Sequence, residues 1–251
     1  MSRNLKLTLA YDGHDFAGWQ VQPGRATIQG VLVSAIEQLT GEKILPQGSG
    51  RTDAGVHALA QIASVPINSS IPTDNLRRAL NDLLPASIRV LAVEEMPPEF
   101  HARKSARAKT YRYRIYRQEI CAPFLARYVY HHPYPLNESA MIDAGGLVIG
   151  EHDFTSFAAV DPERNKNDAA PNNVRRIFSS EWNREGDEFT YIVRGNGFLH
   201  HMVRNLVGTF LMIGKGSLTQ ADMRRILDLH DRSAAAATAP ASGLFLASVE
   251  Y

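Results

Sequence analysis

At 251 residues the chain has room for one large domain or two of ordinary size, and its 44% hydrophobic content excludes an intrinsically disordered polymer. Lys plus Arg number 27 against 26 Asp plus Glu, so the net charge of +1 sets the chain apart from strongly basic nucleic-acid binders while leaving the distribution of charge open. One cysteine, Cys121, excludes an internal disulfide and a Cys-rich zinc site.

Residues 5–11 alternate apolar and polar side chains, as a strand does. Thr27 suits an N-cap. Ile28, Val31, Leu32, Ala35, Ile36 and Leu39 then follow helical spacing, and Gly41 suits the stop. Strands are expected over 43–47 and 56–67. Thr73 or Asp74 caps a helix that runs through Leu84 and ends at Pro85, and 88–94 reads as another strand. Strand–helix–strand–strand–helix–strand is the order of the split βαβ unit in ferredoxin-like folds.

The second half repeats the theme more loosely. Residues 108–118 read as a strand, and Asn137 caps a helix over 138–149. Residues 177–182 and 188–195 form a hairpin across Arg184-Glu185-Gly186-Asp187, with Phe189, Tyr191 and Val193 on one face. The polar stretch 161–173, with two prolines, reads as a long loop, either a substrate-facing flap or an exposed insertion. Leu199, Met202, Val203, Leu206, Val207, Phe210 and Leu211 form a helical apolar stripe. Thr219 with Asp222 makes a capping box before a short final helix, and 244–251 read as a last strand.

Periodicity alone supports an α+β class with a possible internal duplication. Two ferredoxin-like (split βαβ) halves, 1–104 and 105–251, sharing a central antiparallel sheet with a cleft between them, fit this order. The opening Met1-Ser2-Arg3-Asn4-Leu5-Lys6 lacks the apolar segment of a signal peptide. The longest apolar stretch, around 203–213, is interrupted and too short to span a bilayer. The expected compartment is the cytoplasm, with no membrane contact.

The most informative run is Gly50-Arg51-Thr52-Asp53-Ala54-Gly55-Val56-His57-Ala58-Leu59. It sets one carboxylate, Asp53, on a glycine-framed loop at a strand edge, where functional residues collect. An Asx turn at the surface is the bland reading of the same pattern. The run resembles the signature of the tRNA pseudouridine synthase A family. The likeness continues in the family's order through Tyr11-Asp12-Gly13, Phe16-Ala17-Gly18-Trp19-Gln20, Thr27-Ile28-Gln29-Gly30, Phe100-His101-Ala102-Arg103 and Lys109-Thr110-Tyr111-Arg112-Tyr113. His152-Asp153-Phe154-Thr155-Ser156-Phe157, Phe198-Leu199-His200-His201-Met202-Val203-Arg204-Asn205 and Gly243-Leu244-Phe245-Leu246 follow.

The resemblance implies the two-halved arrangement, a homodimer, and isomerisation of uridine to pseudouridine at positions 38, 39 and 40 of the tRNA anticodon stem-loop. It implies that Asp53 is the catalytic carboxylate and that Tyr111 stacks on the target uracil. It further implies that Arg51 takes part in base flipping and that Arg204 pairs with Asp53.

The residues by themselves are compatible with that chemistry. Isomerisation is redox-neutral and needs no phosphate donor. The chain shows no dinucleotide fingerprint, Walker A loop or metal-ligand cluster, so neither cofactor nor metal is expected. Plain glycoside hydrolysis calls for two carboxylates, and the Asp53 loop offers one. Adjacent His200 and His201 cannot both be aimed at one metal from a helix, and His131-His132 is no better; His57 is expected to order the Asp53 loop. Residues 101–117 hold seven Lys or Arg and no acid. Of these, Arg103, Lys104, Arg107 and Lys109 are candidates for RNA phosphates. Two competing readings remain: a catalytically inert RNA-binding protein on the same scaffold, and a small-molecule hydrolase with an Asp nucleophile.

Overall fold

The computed structural model describes residues 2–160 and 172–251. The loop expected over 161–173 therefore lies almost wholly outside the described residues. The chain divides into two compact units, Met1–Lys109 with Phe245–Tyr251, and Thr110–Leu244. Helices and strands alternate, and most strand pairs are antiparallel, as the α+β reading expects.

The first unit contains β1 (Arg3–Tyr11), α1 (Ile28–Thr40), β2 (Gln47–Gly48), β3 (His57–Ile67), α2 (Thr73–Leu83) and β4 (Ile88–Met96). β1 lies between β3 and β4, antiparallel to both, and β2 pairs antiparallel with β3. This is the split βαβ order with a stunted second strand. Leu5, Leu7, Leu9 and Tyr11 alternate into the core from β1, and Ile28, Leu32 and Ile36 of α1 and Leu76 and Leu80 of α2 are buried with them. The chain's last strand, β10 (Leu244–Glu250), pairs in parallel with β3, Phe245 opposite His57 and Leu246 opposite Ala58.

Local causes match most of the expected boundaries. The Thr27 side chain accepts from the Gly30 amide, and Gly41 closes α1 at φ +72°. Two expectations need correction. Residues 43–46 form no strand, because Pro46 has no N–H for a ladder and its carbonyl is taken by Gln29 Nε2 at 2.8 Å. Helix α2 is capped by neither Thr73 nor Asp74. It starts at Thr73 after Pro72, whose carbonyl accepts from Leu76 N at 2.9 Å. Asp74 falls in the first turn, where the helix dipole favours a carboxylate.

The second unit contains β5 (Ala108–Tyr116, its first two residues belonging to the first unit), α3 (Pro123–Ala126), β6 (Tyr130–His131), α4 (Glu138–Gly146), β7 (Gly150–Asp153), β8 (Val174–Glu185), β9 (Glu188–Gly195), α5 (Met202–Gly214) and α6 (Gln220–Leu229). Its strands run in the order β5-β9-β8-β7. The β8–β9 hairpin turns on Gly186 at φ +54°, the position a type II′ turn gives to glycine. Tyr111, Tyr113 and Ile115 point into the core from alternate positions of β5. Trp182, Phe189, Tyr191 and Phe210 form an aromatic cluster, with Trp182 stacked 4.6 Å from Phe189 and Tyr191 5.2 Å from Phe210.

The Asn137 cap on α4 and the Thr219–Asp222 capping box on α6 are both present. α4 stops at Gly146, three residues before its expected end, after two successive poor helix formers, Gly145 and Gly146. α5 starts at Met202 and not at Leu199, because His201 adopts a left-handed conformation at φ +58°. His200 and His201 therefore precede the helix. Among the described residues no helix is long and apolar enough to cross a membrane.

Candidate active site

Arg51 and Asp53 share the loop of residues 49–56 between β2 and β3. Arg51 is exposed and Asp53 half-buried. Side chains from the surrounding strands hold this loop. Tyr11 OH and Thr52 Oγ1 are 2.8 Å apart, Gln61 Nε2 donates to the Gly50 carbonyl at 2.9 Å, and Ser49 Oγ donates to Gln61 Oε1 at 2.7 Å. Lys109 Nζ donates to the Ser49 carbonyl at 2.5 Å. Val56 N closes a turn on the Asp53 carbonyl at 3.1 Å, and Gly55 takes φ +77°. Burial pushes the Tyr11 phenol up to about 12, against the lowering effect of its bonds with Thr52 and Gln61, so it stays protonated.

A second loop, residues 12–19, lies directly on the first. Trp19 N donates to the Thr52 carbonyl at 3.0 Å and Gly55 N to the Phe16 carbonyl at 3.3 Å. The approach is backbone on backbone, so side chains are excluded at two points. A Cβ at Gly13 would lie 1.9 Å from the Val56 oxygen, and one at Gly18 would lie 2.5 Å from the Thr52 oxygen. His57 is buried, stacks on Phe245 at 4.7 Å, and accepts from Gly13 N through Nδ1 at 3.1 Å. Through Gly13 it holds the 12–19 loop, which in turn supports the Asp53 loop.

Tyr111 and Arg204 belong to the second unit. Tyr111, 8% exposed on β5, meets Phe198 at 5.0 Å with the rings 78° apart. Arg204 is half-buried on α5, not a freely solvated helix arginine. Its Nε donates to the Ala239 carbonyl at 2.8 Å, and Ala239 N donates back to the Arg204 carbonyl at 3.1 Å. The segment 235–240 is held to α5 by Thr238 Oγ1 donating to Asn205 Oδ1 at 2.7 Å and to β5 by Tyr113 OH donating to the Pro240 carbonyl at 2.8 Å. Gly208 permits this, since a Cβ there would lie 2.0 Å from the Ala237 oxygen. Burial pushes the Tyr113 phenol up, while the nearby Arg204 guanidinium pulls the other way.

The first unit thus supplies a single carboxylate on a tightly braced loop with an exposed guanidinium two residues away. The second supplies a buried tyrosine and an anchored arginine. Tyr11, Gly13, Gly18, Trp19 and Gln61 brace the Asp53 loop, a role the sequence reading did not assign. Four of these stand in the Tyr11-Asp12-Gly13 and Phe16-Ala17-Gly18-Trp19-Gln20 motifs, so the signal was there without its meaning. Gln61 carried no local signal.

Comparison with known proteins agrees with the motifs. A family model described as tRNA pseudouridine synthase matches residues 8–103 and 146–251. The chain is 52% identical over 249 residues to tRNA pseudouridine synthase A of Solibacter usitatus (strain Ellin6076), covering 99% of this chain and 100% of that one. It is 43% identical over 249 residues to the protein of the same name from Caldicellulosiruptor bescii, with 99% and 100% covered. The Brevibacillus brevis protein of that name is likewise 43% identical over 249 residues, with 99% and 100% covered. The chain belongs to the tRNA pseudouridine synthase family.

Proposed function

We propose that this chain isomerises uridine to pseudouridine in tRNA, at positions 38, 39 and 40 of the anticodon stem-loop, with Asp53 as the catalytic carboxylate. The observation that carries the reading is the likeness to tRNA pseudouridine synthase A over 99% of the chain. A family match with Asp53 on a braced loop also weighs against a catalytically inert RNA-binding protein.

The reaction breaks the N1–C1′ bond, turns the uracil, forms the C5–C1′ bond and releases the C5 proton. Asp53 assists the cleavage, either by attacking C1′ or by taking a proton from C2′; both routes use one carboxylate and no external reductant or oxidant. The target base must leave the helical stack, at a cost of about a few kcal/mol. Arg51 fills the gap, because a guanidinium stacks and donates hydrogen bonds at once. Tyr111 stacks on the extruded uracil, a contact worth about 1–3 kcal/mol. Arg204, as the resemblance implies, pairs with Asp53 and holds its rotamer. The enzyme acts as a cytoplasmic homodimer and needs neither metal nor cofactor.

The test is tritium release from tRNA labelled at C5 of uridine, with EDTA present and no cofactor added, comparing the wild type with Asp53→Asn. Release by the wild type alone is expected, with tRNA binding kept in both. Appreciable release by Asp53→Asn would remove Asp53 from its central role. No release by either, with tRNA still bound, would favour the inert RNA-binding reading.

A further inference from the structure

The sequence reading groups Lys109 with Arg103, Lys104 and Arg107 as cations for RNA phosphates. In the first unit these four separate. Arg103, Lys104 and Arg107 are exposed, whereas Lys109 is half-buried. Its Nζ donates to the Ser49 carbonyl at 2.5 Å, and a Cβ at Gly50 would lie 3.0 Å from the same nitrogen. Ser49 is itself buried and anchored: its amide donates to the Ile62 carbonyl at 2.7 Å and its hydroxyl to Gln61 Oε1 at 2.7 Å. The ammonium therefore reaches the fixed foot of the loop that carries Asp53.

We propose that Lys109 is a positioning residue for Asp53, its ammonium fixing the Ser49 carbonyl and with it the path of the chain through Gly50 into the loop. The proposal rests on the reading of Asp53 as the catalytic carboxylate. Ser49, Gly50 and Thr52 each have a brace: Lys109 on the Ser49 carbonyl, Gln61 on the Gly50 carbonyl, and Tyr11 and Trp19 on Thr52. The Lys109 brace is the charged one, and charge-assisted hydrogen bonds are about twice as strong as neutral ones. Releasing it frees the 49–50 peptide to rotate. A displacement of about 1 Å at a reacting group costs about a hundredfold in rate. A phosphate contact would act differently, through affinity and its salt dependence.

Gly50 offers an independent handle on the same contact. Its φ lies outside the left-handed region, so alanine is compatible with the backbone, and the added methyl group meets the Lys109 ammonium first.

The experiment compares Lys109→Met, Gly50→Ala and the double variant by steady-state tritium release, and by tRNA binding over a range of salt. Each single variant should lower kcat by about 10- to 100-fold, with KM and the salt slope unchanged. The double variant should be no worse than Lys109→Met, because both changes act on one contact. Lys109→Met with wild-type kcat overturns the proposal. So does weaker tRNA binding with a salt slope reduced by about one and kcat kept, the signature of a phosphate contact. If Lys109→Met does not fold, Gly50→Ala decides: a loss of kcat supports the proposal and a wild-type kcat overturns it. Failure of the Asp53 reading shows separately, as activity in Asp53→Asn.

Discussion

Replacing Gly18 with alanine asks whether the 12–19 loop holds Asp53 in place. Gly18 has φ +91°, and a new Cβ would lie 2.5 Å from the Thr52 oxygen and 3.1 Å from Ala54 N, the residues on either side of Asp53. Gly24 is the matched control, with φ +70° and nothing within 4 Å of its added Cβ. Left-handed backbone costs a residue with a Cβ about 1–2 kcal/mol, and both variants bear that cost. Gly18→Ala adds the clash with backbone, an overpacking cost of about 1–3 kcal/mol. A chain of this size loses about 2–4 °C of Tm per kcal/mol. Gly24→Ala should therefore melt about 2–8 °C below the wild type, and Gly18→Ala about 4–20 °C below it. Relief of the clash must move the 52–54 backbone, so kcat should fall about a hundredfold in Gly18→Ala and stay near wild type in Gly24→Ala. Thermal melts followed by circular dichroism, with tritium release at a temperature where all three proteins are folded, give both numbers. Equal Tm values for the two variants, together with a wild-type kcat in Gly18→Ala, would refute the claim that this contact positions Asp53.

Tyr111→Phe keeps the ring and loses the hydroxyl, so kcat for tritium release should stay close to wild type if stacking is its contribution; a loss of a hundredfold or more would assign the hydroxyl to proton transfer. Gly208→Ala drives a Cβ to 2.0 Å from the Ala237 oxygen and must lift the 235–240 segment that binds Arg204. It should lower Tm and kcat together, and a variant that matches the wild type in both would show the segment to be dispensable. His132 is buried against Tyr130 and Tyr134, and burial, with Lys215, Arg117 and His131, lowers its pKa to about 4. The unfolded chain, with its histidine near 6.5, binds that proton first, so stability present above about pH 6.5 is lost as pH falls toward 4. His132 Nε2 has no hydrogen-bond partner among the described residues, so His132→Phe should flatten the fall of Tm across that window. An unchanged slope would clear His132 of the effect.

Much of the architecture was legible because its causes are local. Thr27 and Gly41 bound α1, Thr219 and Asp222 close a capping box, and Gly186 turns a hairpin, each through contacts within a few residues. The alternation that buries Tyr111, Tyr113 and Ile115 follows from the period of a strand. Asp53 was legible as a candidate because a lone carboxylate between glycines is a local pattern, and the motifs around it are family-specific.

Other features depend on residues far apart in sequence. No local pattern says that Phe245 pairs in parallel with His57, that Gly18 faces the Thr52 oxygen, or that Arg204 is anchored to Ala239. Lys109 shows the difference most clearly. By composition it belongs to a run of surface cations, yet its ammonium ends on a buried carbonyl 60 residues away along the chain. His201, which stops α5 from starting at Leu199, likewise holds a left-handed conformation that its residue type does not announce. The sequence by itself determined most of the secondary elements and the motif that makes Asp53 a candidate, because propensity, capping and period act over one or two turns. Only the tertiary structure decided which backbones approach closely enough to exclude a side chain and which cation braces the Asp53 loop, because hydrogen bonds and steric contacts depend on distance in space.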